Sequence, residues 1–128
     1  YGGNPVSMTQ GLATLEVIEE DGIQENARVV GGHLKNRLLE LQDKHDLIGD
    51  VRGMGLMLGV ELVRDRETKE PANTEAADIM EQMKHHGVIV GKGGLYGNTL
   101  RIKPPMCLTK DDGDYLVDCL DLVLSEMN

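Results

Sequence analysis

The apolar residues of this chain change their period near Gly49, and that change limits what the chain can fold into. Upstream, Ile23, Ala27, Val30, Leu34, Leu38 and Leu41 step by four or three residues along one stripe, the spacing of an amphipathic helix that should end near His45. Downstream, in GLMLGVELV, Leu56, Leu58, Val60 and Leu62 share one side and Met57, Gly59, Glu61 and Val63 the other, as in a strand covered mainly on one face. A one-sided helix followed by a one-sided strand predicts helices massed on one face of a sheet, with the other face left to meet something else.

The remaining segments fit that plan. Asn4 and Pro5 announce a first helix, as an N-cap and a first-turn proline, and Met8, Leu12, Leu15 and Ile18 recur along it until Asp21-Gly22. The Gly31-Gly32 pair inside the second helix weakens it by about 1 kcal/mol per glycine in propensity, so a close packing contact is the expected compensation. A charged turn, RDRETKEPAN, precedes a helix from about Thr74 to His86, stopped by Gly87. Val88 to Val90 reads as a short strand, GKGGLYGN as a glycine-rich loop, and TLRI as a strand ended by Pro104-Pro105. The last helix opens at Thr109 with Asp112 three residues on, a capping box, and turns Leu116, Cys119, Leu120, Val123, Leu124 and Met127 inward. The expected architecture is α+β: one domain over residues 1–128, a small and mainly antiparallel sheet of three to four strands, and helices on one face.

Composition narrows the partners. Phe and Trp are absent and there are 3 Tyr, so the core is aliphatic, with 7 Met as adaptable filler. A formal charge of -9, from 22 acidic and 13 basic residues, argues against nucleic acid, which needs basic patches and stacking aromatics. No apolar run reaches membrane-spanning length, and the first residues show no targeting pattern. Cys107 and Cys119, without metal-type spacing, read as small buried hydrophobes in a reducing compartment.

Few motifs point to chemistry. GKGGLYGN, despite Lys92, matches neither phosphate-binding glycine pattern, because a strand and not a helix follows it. Gly53, Gly55 and Gly59 mark places where a strand bends or another backbone comes close, and Arg52 beside them is expected to anchor structure. His85-His86 suits a helix C-terminus, His33 and His45 stand isolated, and KDDGD suits a helix N-terminus better than calcium. No nucleophile with its base, and no metal-ligand set, can be argued from spacing. The chain has no self-sufficient catalytic residues.

In NTLRIKPP, alternation sets Leu100 and Ile102 on one face and Thr99, Arg101 and Lys103 on the other. Pattern alone leaves Arg101 in water. Together, however, YGGNPVSMTQGLATLEVIEE, GDVRGMGLMLGVELVRDRETKEP, HHGVIVGKGGLYGNTLRIKPPMCLT and the acidic last helix resemble, in order and over nearly the whole chain, the C-terminal small domain of class III pyridoxal-phosphate-dependent aminotransferases. Within that family GKGGLYGNTLRIKPPMC is most similar to the alanine–glyoxylate group. The resemblance implies a parent enzyme, with pyridoxal 5'-phosphate as cofactor, that moves an amino group from alanine or a similar donor to glyoxylate or another 2-oxo acid. It implies that Arg101 grips the substrate carboxylate, a task suited to a planar guanidinium fork that lysine cannot reproduce.

The same resemblance places the cofactor-binding lysine and the groups around the cofactor ring in a large domain preceding Tyr1, so the chain alone is expected to be inactive. Lys92 is not in that lysine's position. The resemblance also implies a homodimer and a mitochondrial setting. Tyr1, Gly2, Gly3 and Asn4 would be part of a cofactor-adjacent loop, with Asn4 capping its helix. The competing expectation is a stand-alone α+β ligand-binding or oligomerisation module with the same layout and no catalysis.

Overall fold

Leu34, Leu38 and Leu41 meet Val51, Leu58, Val60, Leu100 and Ile102 in one buried cluster, so the helical stripe and the strand alternation cover each other. This is seen in a computed structural model that describes residues 2–127; Tyr1, assigned above to the cofactor-adjacent loop, lies outside them. The elements are α1 (Pro5–Glu20), α2 (Ile23–Lys44), β1 (Ile48–Met54), β2 (Met57–Leu62), α3 (Asn73–His85), β3 (Gly91–Gly93), β4 (Thr99–Ile102) and α4 (Lys110–Glu126). The 4-stranded sheet has the order β1-β2-β4-β3, and every pairing is antiparallel. Ile79 and Met83 of α3 and Val117, Leu120 and Leu124 of α4 join the same cluster, so three helices pack on one face and the expected α+β layout holds.

The structure adds a strand that alternation had hidden. β1 was not expected because its inward residues, Ile48 and Val51, are three apart. The register shifts between Ile48 and Asp50, and the extra residue of that bulge breaks the two-residue period. The expected strand at Val88 to Val90 is absent. Val88 N–H instead donates to Met83 O and Gly87 N–H to Lys84 O, each at 3.0 Å, closing a Schellman motif in which Gly87 takes φ 77°. Backbone pairing starts only at Gly91, opposite Arg101, so β3 lies in what read as a loop.

Several side chains also depart from expectation. Cys107 is exposed while Cys119 is buried, and Met127 is exposed at the end of α4. Most of the α1 stripe finds no cover: Met8, Leu12 and Leu15 are 52%, 62% and 61% exposed while Ile18 is half-buried, and α1 touches α2 alone among the described elements. His33 and His45 are not isolated. His33 Nε2 lies 2.7 Å from Asp114 Oδ1, and buried His45 places Nε2 2.6 Å from Asp121 Oδ1, tying α2 to α4 at two levels. Arg37 and Lys44 reinforce these ties, at 2.6 Å to Asp114 and 2.7 Å to Asp121.

The glycine pair is explained by one of its members. A methyl group added at Gly31 would overlap the backbone carbonyl of Gly55, at the turn between β1 and β2, whereas at Gly32 it would meet nothing within 4 Å. Gly31→Ala should therefore lower stability by about 1–3 kcal/mol, from overpacking, while Gly32→Ala should raise it by up to about 1 kcal/mol through helix propensity; thermal unfolding of the two variants checks both signs.

The α2–α4 ties carry a pH signature. Hydrogen bonding from His33, and then Arg37, holds the Asp114 carboxyl below its ordinary range, and Lys44, then His45, do the same for Asp121. Depressed carboxylate values mean the stabilisation is complete above the unfolded range and is lost as pH falls through the folded values, below about pH 4. The melting temperature of Asp114→Asn/Asp121→Asn should accordingly fall less steeply than that of the parent between about pH 5 and about pH 3.

Candidate functional site

The open face of the sheet is built by register. Arg52 of β1 lies opposite Gly59 of β2, Gly59 opposite Arg101 of β4, and Arg101 opposite Gly91 of β3, so one row across the sheet reads Arg, Gly, Arg, Gly. Leu100 and Ile102, 1% and 3% exposed, point into the helix-covered core, and Arg101 between them is exposed on the bare side, as alternation predicts. The two glycines leave Arg101 without flanking side chains in its own row. Shallow depressions of about 310 Å³ and about 220 Å³ flank it, the first bounded by Arg52, Met57 and Gly59, the second by Ile89, Gly91 and Pro104, with Lys103 in both.

The two arginines of that row are in opposite electrostatic states. Arg52 Nη1 donates to Asp50 at 2.8 Å and to Glu61 at 2.6 Å, and these hydrogen bonds, Asp50's first, raise its already high pKa. Arg52 thus pins β1 to β2 on the open face, the anchoring role expected of it. Arg28, Arg37, Arg64 and Arg66 likewise have a carboxylate within 4.0 Å. Arg101 alone among the arginines has none among the described residues. An exposed guanidinium that the fold leaves unpaired, beside carboxylates already taken by Arg52, is available to an anion from outside.

The strand bearing Arg101 is held at its start by Asn98. This buried residue donates from Nδ2 to Leu62 O at 2.8 Å, while Leu62 N–H donates to Asn98 O at 2.8 Å, so the chain enters β4 locked onto the end of β2. Gly94, at φ 84°, turns the preceding loop so closely over Thr99 that an added Cβ would lie 2.8 Å from the Thr99 hydroxyl. The result is a fixed platform under Arg101. Sequence reasoning missed the contributions of Gly59, Gly91 and Asn98, because only the strand register brings them to Arg101.

The other candidate residues do not join Arg101. Gly2 and Gly3 are exposed in a turn, with Gly3 at φ 84°. Asn4 Oδ1 accepts from Val6 N–H at 2.9 Å and Ser7 N–H at 3.4 Å, so its side chain is used as the helix cap. These residues lead into α1, which does not reach the sheet. Lys92 pairs with Leu100 and so points to the opposite face from Arg101, toward α3. Among the described residues no group of three or more His, Cys, Asp or Glu side chains is arranged to hold a metal ion.

With this geometry in view, the chain belongs to the class III aminotransferases: the model of that family, Aminotransferase class-III, matches residues 1–124. It is 58% identical over 127 residues to alanine–glyoxylate aminotransferase 2 homolog 2, mitochondrial, of Arabidopsis thaliana, covering 99% of this chain and 27% of that protein. Against alanine–glyoxylate aminotransferase 2, mitochondrial, of Homo sapiens it is 40% identical, covering 98% of this chain and 25% of that protein. Among solved structures, an Arthrobacter phospholyase in complex with phosphoethanolamine superposes with a TM-score of 0.92 at 28% identity, over 98% of this chain and 30% of its own. The chain thus spans about a quarter of the length of the curated relatives it matches.

Proposed function

We propose that this chain is the small C-terminal domain of a longer aminotransferase and that Arg101 receives the carboxylate of the amino acid or 2-oxo acid. The observation that carries the reading is the unpaired guanidinium on the uncovered sheet face, at the one row where glycines clear space on both sides. A bidentate guanidinium–carboxylate contact is worth about 1.5–3 kcal/mol, enough to dominate the recognition of a substrate as small as alanine or glyoxylate. The names of the Arabidopsis and human relatives support alanine as donor and glyoxylate as acceptor. They also support a mitochondrial setting, and no helix among the described residues is long and apolar enough to cross a membrane.

The cofactor of this family, pyridoxal 5'-phosphate, supplies the electron sink for amino transfer. The residues of the open face do not hold it by themselves. Both carboxylates there, Asp50 and Glu61, are taken by Arg52, and none of the four strands carries an aromatic side chain to cover a ring. The cofactor and its lysine are therefore assigned to a large domain elsewhere in the parent protein, which would face the open sheet, in a homodimer. The chain's own task is to orient the substrate's acid end.

Two outcomes test this reading. The isolated chain mixed with pyridoxal phosphate should not interconvert alanine and glyoxylate; turnover would place a complete catalytic apparatus within these residues. In the full-length protein, Arg101→Lys should raise the KM for alanine and glyoxylate about tenfold or more, the loss of one of two fork contacts, with cofactor absorbance unchanged. Unchanged kinetics would return Arg101 to a solvated surface, and phosphoethanolamine elimination in place of transamination would move the parent to the phospholyase reaction.

A further inference from the structure

Gly91 differs from the chain's other crowded glycines in what crowds it. A methyl group at Gly31 or Gly53 would strike backbone, and one at Gly49 would strike Val63, so those glycines serve the fold. At Gly91 the nearest atoms to an added Cβ all belong to Arg101: Nε at 3.3 Å, Nη2 at 3.4 Å and Cβ at 3.6 Å. The arginine side chain is therefore stretched flat across the neighbouring strand, over the one position in its row on β3 that has no side chain. Its other row neighbour is not used in this way. A Cβ at Gly59 would meet only the Thr99 methyl at 3.3 Å, with no Arg101 atom within 4 Å. The guanidinium thus leans toward β3 and away from β2, the strand that carries Glu61.

We propose that Gly91 is a positioning residue for Arg101: by carrying no side chain, it lets the guanidinium lie over β3, away from the carboxylates of β1 and β2, and so sets the direction from which a substrate carboxylate is received. This inference rests on the reading of Arg101 as the carboxylate-binding residue. A side chain at position 91 would lie 3.3 Å from the Arg101 Nε and so lift the fork off β3, changing the direction in which it meets a carboxylate. The backbone at Gly91 is not in the left-handed region, so alanine fits the strand without conformational strain and the substitution reports on the arginine alone.

In the full-length aminotransferase, Gly91→Ala should raise the KM for L-alanine about tenfold, with kcat changed by less than about twofold, because displacement of a positioning group by a fraction of an ångström weakens binding before it alters chemistry. Gly93→Ala, on the same strand and face but with nothing within 4 Å of its added Cβ, should leave KM within about twofold of the parent. A crystal structure of the Gly91→Ala enzyme should show the guanidinium moved off β3, a readout independent of turnover. An unmoved guanidinium, a parental KM, or a loss confined to kcat and melting temperature would each overturn the role of Gly91. If Arg101→Lys raises KM while Gly91→Ala does not, only this inference fails; if Arg101→Lys is also silent, the reading of Arg101 fails first.

Discussion

The packing of three helices against a single face of the sheet is the constraint on which the rest depends. Leu34 and Leu38 of α2, Ile79 of α3 and Leu120 and Leu124 of α4 close over Val60, Leu100 and Ile102, and this burial, at about 1.5–3 kcal/mol per large aliphatic side chain, fixes which side of every strand is inside. Once Leu100 and Ile102 are committed to the core, Arg101 has no choice of side. Core and site are therefore one design: a one-residue slip of β4 would bury the arginine and expose two leucine-like neighbours, at a cost no local rearrangement could offset.

On the exposed side, electrostatics does the sorting that burial does inside. Asp50 and Glu61 converge on Arg52, satisfy it and are themselves removed from competition. Such half-exposed pairs contribute little to stability. Their consequence is a contrast: of two guanidinium groups in one row, Arg52 is neutralised internally and Arg101 has no carboxylate within 4.0 Å among the described residues. In a chain whose formal charge is -9, an arginine left unpaired among the described residues, on a face with two occupied carboxylates, is a local exception, and the proposed function rests on it.

Much of this was legible in the sequence, and what was not has physical reasons. The long α2 stripe, the Asn4 and Thr109 caps, the β2 and β4 alternation and the outward side of Arg101 all follow from period and local chemistry, which act over a few residues. β1 was missed because a bulge displaced its inward residues, and β3 because strands made of glycine and lysine owe their pairing to the neighbouring strand rather than to their own propensity. The His33–Asp114 and His45–Asp121 ties join residues about eighty positions apart, beyond any local pattern. Within the site, the role proposed for Arg101 came from the resemblance of LRIKPP and its neighbouring segments to a family, while its glycine neighbours needed the register. The apolar stripe of α1 was visible, but not that it would go uncovered by the rest of this chain.

The contact between Gly31 and the Gly55 turn bears on how the domain can move. There, helix and hairpin meet main chain to main chain, with no side chain between them whose rotamer could change to absorb a shift. Lys35 adds a bond at 3.1 Å from the helix to Gly53 O, and Asn98 fastens β4 to the far end of β2. Helix, hairpin and the arginine-bearing strand are thereby joined like the parts of a welded bracket. A displacement of the strand that bears Arg101 must then carry the hairpin and α2 with it, whereas the exposed arginine side chain keeps its own rotations.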